Sequence, residues 1–158
     1  MRIKNILYED FTNYKKCSMF IGTAYCDWKC CKECGENLCQ NLPLAQAPAI
    51  IANNNKIVDK YLLNEMTSAI VFGGLEPLDQ FEELCELIEL FRQYTQDDIV
   101  IYTGYTEQES QNKTKKIAEI GPNIIIKYGR FIPHQEKHFD EVLGVYLASD
   151  NQYAVRIS

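Results

Sequence analysis

Five of the seven cysteines fall within fourteen positions, at Cys26, Cys30, Cys31, Cys34 and Cys39. A four-iron–four-sulfur cluster takes thiolate ligands, and three of them would leave one iron open to a further ligand. Structural zinc is a competing use, and it asks for four thiolates or imidazoles in closed tetrahedral geometry. Zinc sites usually draw two ligand pairs from separated knuckles. No second knuckle follows in this chain, which favours an iron–sulfur cluster held by one loop. Redox thiols are the third use. Cys17, at the entry of an apolar run, and Cys85, on the apolar face of a helical segment, read as small hydrophobes.

Two further segments could meet a small ligand. In Gly73-Gly74-Leu75-Glu76-Pro77, paired glycines let backbone approach a ligand closely, and the carboxylate beyond them can accept hydrogen bonds from an ammonium group. Tyr102-Thr103-Gly104-Tyr105-Thr106 offers hydroxyls that would bind a ribose or cap a helix. Ser149-Asp150-Asn151-Gln152 reads as the turn of a surface hairpin. His134 and His138 stand four apart, a spacing that could set two metal ligands on one helix face. Pro133 weakens that helix, and solvated loop histidines are the expectation. Glu82, Glu83, Glu86 and Glu89 are read as the solvated face of a helix.

The elements that must position these groups alternate. Ser18–Tyr25 is taken as the first strand, running straight into the cysteine loop, with Met1–Glu9 a short mixed segment. Leu42–Asn55 reads as irregular and Lys56–Asn64 as helical. Ala69–Phe72 is a buried strand, and Asp79–Tyr94 an amphipathic helix with Phe81, Leu84, Cys85, Ile88 and Phe91 inward and Asp79 as its cap. Ile99–Thr103 is a strand, Glu107–Ile120 a polar helix stopped by Gly121-Pro122, and Asn123–Lys127 a strand. Val142–Ile157 holds two more strand-like runs. Strands alternating with helices predict an α/β fold with a mostly parallel sheet. With too few units to close, a partial, open βα barrel is expected, its cluster loop after the first strand. Ligands in such folds bind at the carboxyl ends of the strands, where all three motifs fall. No linker or repeat divides residues 1–158, so one domain is expected.

The bulk composition is that of a folded protein, 46% hydrophobic in 158 residues. A net charge of −6, with no Lys/Arg cluster, argues against nucleic acid as a partner. No apolar run reaches membrane length, and the start carries no long apolar core, so a cytoplasmic location is expected. Reducing compartments keep thiols free, which again points the cysteine cluster toward metal binding.

Taken together, four stretches resemble the radical S-adenosylmethionine superfamily and, within it, the activating proteins of anaerobic ribonucleoside-triphosphate reductase. They are DFTNYKKCSMFIGTAYCDWKC (Asp10–Cys30), GGLEPLDQ (Gly73–Gln80), IVIYTGYT (Ile99–Thr106) and LASDNQYAVRI (Leu147–Ile157). The resemblance implies a [4Fe-4S] cluster with one open iron, chelated by the amino and carboxylate groups of S-adenosyl-L-methionine. It implies an oxidoreductase that makes a 5′-deoxyadenosyl radical and with it installs a glycyl radical on a large partner, the anaerobic ribonucleotide reductase. A flavodoxin or ferredoxin would donate the electron. Gly73, Gly74 and Glu76 would meet the methionine amino group, and Thr103 would line the ribose. The family spacing, Cys-x3-Cys-x2-Cys, meets Glu at position 33. Cys26 and Cys30 keep the first interval. The third ligand is then Cys39, whose Gln40-Asn41 matches the activases, or Cys34; a register of Cys26, Cys31 and Cys34 stays open. Leu75 is one residue more than the family places between glycines and acid. Two other readings remain: the same chemistry on a small molecule such as a modified nucleobase precursor, and a non-catalytic iron–sulfur or zinc-binding module.

Overall fold

The computed structural model describes residues 1–35 and 39–158. Four strands form the centre of a seven-stranded sheet: β2 (Ser18–Thr23), β4 (Ala69–Gly74), β5 (Asp98–Tyr102) and β6 (Ile124–Tyr128). They pair in parallel throughout. Almost every residue in them is buried, because both faces are covered, and their sequences are correspondingly apolar without alternation. The order is completed by antiparallel strands, β3 (Ile50–Ile51) and β1 (Arg2–Asp10) on one side and β9 (Tyr153–Arg156) on the other. The sheet is mixed α/β and does not close into a barrel.

One face carries the helices. Ile70, Phe72, Ile99, Ile101, Ile124 and Ile126 pack with Leu84, Leu87, Ile88 and Phe91 of α4 (Phe81–Arg92), Ile117 of α5 (Glu107–Ile120), and Ile57 and Tyr61 of α3 (Asn54–Leu62). Burying a side chain of this size stabilises the fold by roughly 1.5–3 kcal/mol. Alternate strand residues, Val71, Val100 and Ile125, face a second, smaller core with Phe20, Tyr14, Leu143 and Leu147. That face is covered by the loop before β2, whose Tyr14 hydroxyl donates to Asp98 at 2.9 Å, and by a separate hairpin of β7 (His138–Asp140) and β8 (Val145–Leu147). Among the described residues no helix is long and apolar enough to cross a membrane.

Several sequence expectations need correction. The cysteine loop follows the second strand, since Arg2–Asp10 forms a strand of its own. Its mixed composition fits an outer strand held by backbone pairing. The segment taken as irregular contains α2 (Leu42–Gln46) and β3, both too short to show a period. Asp79 does not cap α4. A 3-10 turn, Pro77–Gln80, precedes that helix, Gln80 stands at its N-cap without a side-chain cap, and Glu76 caps the turn by accepting from Leu78 N–H. Glu83 is more than a solvated acid, because it accepts from Arg2 N–H at 2.7 Å. Ser149–Gln152 is no surface hairpin: β8 and β9 belong to different sheets, and Ser149 and Gln152 are buried. The Gln152 amide accepts from Ala148 and Ser149 N–H and donates to the Gly129 carbonyl.

Candidate functional site

Because β2 and β4 run in parallel, with Gly22 opposite Gly73 and Thr23 opposite Gly74, the chain leaves toward Cys26 beside the point where it leaves toward Glu76. Three hydrogen bonds fasten these exits. Glu76 N–H donates to the Tyr25 carbonyl at 2.7 Å, Ala24 N–H donates to the Gln80 amide oxygen at 2.8 Å, and Asp27 N–H donates to the Asp79 carboxylate at 2.9 Å. The other Asp79 oxygen accepts from the Tyr105 hydroxyl at 2.7 Å.

Beyond this point Trp28 takes a left-handed conformation (φ 60°) and opens α1 (Lys29–Cys34), which Gly35 (φ 69°) ends. None of the α1 residues is buried, so apolar packing does not seat it. Ion pairs do. Lys29 pairs with Glu109, and Arg130 reaches Glu33 at 3.4 Å while donating to both Glu109 oxygens at 2.7 Å. Arg130, helped by Lys29, holds the Glu109 carboxyl well below the usual carboxylate range.

All five clustered cysteines line one cavity of about 320 Å³, together with Gly74, Glu76, Thr103, Gly104, Lys127 and Arg130. Phe20 and Tyr102 supply apolar wall. Gly73 lies behind this wall; a Cβ there would stand 3.1 Å from the Phe20 ring. Gly74 has φ +89°, and a Cβ would come within 2.3 Å of Leu44 in α2. The two histidines are not brought together on a helix: His134 is exposed in a turn and His138 begins β7.

The seven cysteines carry no disulfide. Burial pushes the Cys26 thiol up to about 12 and the Cys30 thiol up to about 11, with Cys31 adding to the latter. Reactive cysteines show the opposite shift, so neither Cys26 nor Cys30 reads as a redox nucleophile. Such sulfurs lose their protons when a metal takes them. Clustered thiols on the wall of one cavity have the donor chemistry an iron–sulfur cluster requires.

Two buried charged residues line the same cavity as the thiols. Glu76 accepts from the Thr103 hydroxyl at 2.7 Å, from Leu78 N–H at 3.1 Å and from Gly104 N–H at 2.7 Å. Burial nevertheless lifts its pKa to about 7, against those hydrogen bonds. Lys127 is buried too, and its ammonium donates to the Gly129 carbonyl at 2.7 Å. Burial lowers its pKa to about 8, with Glu76 pulling the other way. A carboxylate and an ammonium on the wall of one cavity complement a zwitterion.

Sequence reasoning missed Lys127, Arg130 and the work of Asp79. Lys127 closes an isoleucine run that is buried on both faces, and a charge in such a run was itself the available signal. Arg130 and Asp79 carry no comparable signal, since their partners lie far along the chain.

A family model described as a 4Fe-4S single cluster domain matches residues 15–152. Neither the curated proteins nor the solved structures contain a match to the chain.

Proposed function

We propose, from the premise that this chain belongs to the 4Fe-4S single cluster domain family, that it is a radical S-adenosylmethionine enzyme, the activase of an anaerobic ribonucleotide reductase. The observation that carries this reading is the single cavity shared by the cysteine loop, Glu76, Thr103 and Lys127. Cys26, Cys30 and Cys39 would hold the cluster, with Cys34 or Cys31 as alternates. A cluster held there would supply one electron to the sulfonium of S-adenosylmethionine, the one-electron chemistry by which a carbon–sulfur bond would be cleaved and a glycine of the partner would lose hydrogen to the resulting 5′-deoxyadenosyl radical.

The chain's own residues bind and orient. Glu76 offers its carboxylate to the methionine ammonium, and Lys127 offers its ammonium to the methionine carboxylate, each a charge-assisted contact. Gly74 lets the backbone come close. Thr103 holds Glu76 at the ribose end of the cavity, so the two binding motifs act as one. Phe20 and Tyr102 keep that side dry, which strengthens both contacts. The whole chain acts as one domain, taking its electron from a flavodoxin or ferredoxin.

The experiment is to mix reconstituted protein, S-adenosylmethionine, reductant and a candidate glycyl radical reductase without oxygen, and record electron paramagnetic resonance. A glycine-centred radical that requires every component supports the activase. Cleavage of S-adenosylmethionine without any radical on the protein partner would move the target to a small molecule.

A further inference from the structure

The Cys26 sulfur, a carboxylate oxygen of Asp27 and one of Asp79 all lie within 4.8 Å of one another. Asp79 is only partly exposed. Its carboxylate is fixed by Tyr105 hydroxyl at 2.7 Å and Asp27 N–H at 2.9 Å. It forms no ion pair with a lysine or arginine among the described residues. The nearby cations are engaged elsewhere: Lys29 and Arg130 pair with Glu109, and Lys113 donates to the Leu78 carbonyl at 2.6 Å. Asp79 also does not serve the helix that follows it, which has no side-chain cap.

We propose that Asp79, seconded by Asp27, lowers the reduction potential of the cluster and so makes it a stronger one-electron donor. This rests on the reading of Cys26 as a ligand, and Cys26 belongs to every ligand register considered above. The physics is electrostatic. Adding an electron beside a fixed negative charge is unfavourable, and a carboxylate a few ångströms from a ligand sulfur is poorly screened where it is partly buried. Cluster potentials respond to net charge, hydrogen bonding to sulfur and exposure. The hydrogen bond from Trp28 N–H to Cys26 Sγ, at 3.3 Å, works in the opposite sense. The electron enters from a low-potential one-electron donor and leaves to the sulfonium of S-adenosylmethionine; no bond or proton changes at Asp79. Cleaving a sulfonium needs a strong reductant, and this pair of acids supplies part of that strength.

Asp79→Asn removes the charge while its amide oxygen can still accept from Asp27 N–H. The full chain is reconstituted anaerobically with iron and sulfide, and the midpoint potential is read by redox titration followed by electron paramagnetic resonance. Wild type, Asp79→Asn, Cys26→Ala and the distant, exposed Glu89→Gln are compared at matched iron content. Asp79→Asn should titrate at a more positive potential. The expected size is a tenfold change in the ratio of reduced to oxidised cluster, about 59 mV for one electron. Glu89→Gln should match wild type. An unmoved midpoint in Asp79→Asn, or an equal shift in Glu89→Gln, overturns the proposal while leaving the cluster intact. Wild type without sulfide-bearing iron, or a Cys26→Ala variant that keeps its cluster and potential, instead overturns the reading beneath it. Should Asp79→Asn fail to retain iron, Asp27→Asn decides: a positive shift supports the proposal and none refutes it.

Discussion

The Thr103 hydroxyl donates to the Glu76 carboxylate at 2.7 Å, joining the exits of two neighbouring parallel strands. Through this bond the acid after the paired glycines is held by the next motif along the sheet, and the neighbouring Gly104 N–H reinforces it at 2.7 Å. Leu75 therefore does not leave the carboxylate outside the cavity.

Glu76→Gln should weaken S-adenosylmethionine binding by about one to two decades, the worth of a charge-assisted hydrogen bond. Iron content should be unchanged, because the cysteines sit on a different loop. Equilibrium dialysis at matched iron is the measurement; equal affinity would remove Glu76 from the site.

Affinity should also follow pH as a bell. Glu76 must be ionised to accept from an ammonium, and its pKa is raised to about 7, so binding should strengthen as pH rises through that value. Lys127 must be protonated to hold a carboxylate, and its pKa is lowered to about 8, so binding should weaken above it. Glu76→Gln should lose the acid limb and Lys127→Gln the alkaline limb. A flat profile in wild type would separate both charges from the ligand.

Cys26→Ala and Cys30→Ala should lose the cluster, and Cys39→Ala should be more damaging than Cys34→Ala. Cys17→Ala and Cys85→Ala should keep the iron at modest stability cost, since Cys85 packs against the helix-side core. Iron and sulfide analysis of the series checks this. Loss in Cys34→Ala with retention in Cys39→Ala would shift the ligand register.

Gly74→Ala should destabilise the fold by about 1–3 kcal/mol, the usual cost of a side chain in left-handed backbone. Here φ is +89° and the new Cβ would meet Leu44 at 2.3 Å. In a chain of this size each kcal/mol lowers Tm by roughly 2–4 °C. Gly73→Ala should cost less, because its backbone is not left-handed and the new Cβ would meet only side chains, the Phe20 ring at 3.1 Å and Tyr102 Cβ at 3.4 Å. Thermal unfolding of both variants compares them; equal losses would mean that backbone conformation at Gly74 is not the constraint.

The central strands and the two long helices were legible because burial on both faces, or on one face only, writes itself into the residue pattern. Glu107–Ile120 matched to the residue, since Thr106 and Glu109 form a capping box that local sequence spells out. What stayed hidden was set by partners distant in sequence. Arg2–Asp10 is a strand because β2 and β3 pair with it. Asp79 was drawn from its expected cap by Tyr105 and Asp27, and Lys127 became a cavity charge only once the sheet placed it across from Glu76. The convergence of the cysteine, Gly-Gly and Thr-Gly motifs followed from strand direction alone; the ion pairs that seat the cysteine helix did not.

The most direct test of the account is anaerobic reconstitution followed by strong reductant and S-adenosylmethionine, measuring iron, sulfide and the cleavage products together. About four irons and four sulfides per chain are expected, with a colour that air bleaches and conversion of S-adenosylmethionine to 5′-deoxyadenosine and methionine. One zinc without sulfide, or a complete cluster that leaves S-adenosylmethionine uncleaved, would contradict it.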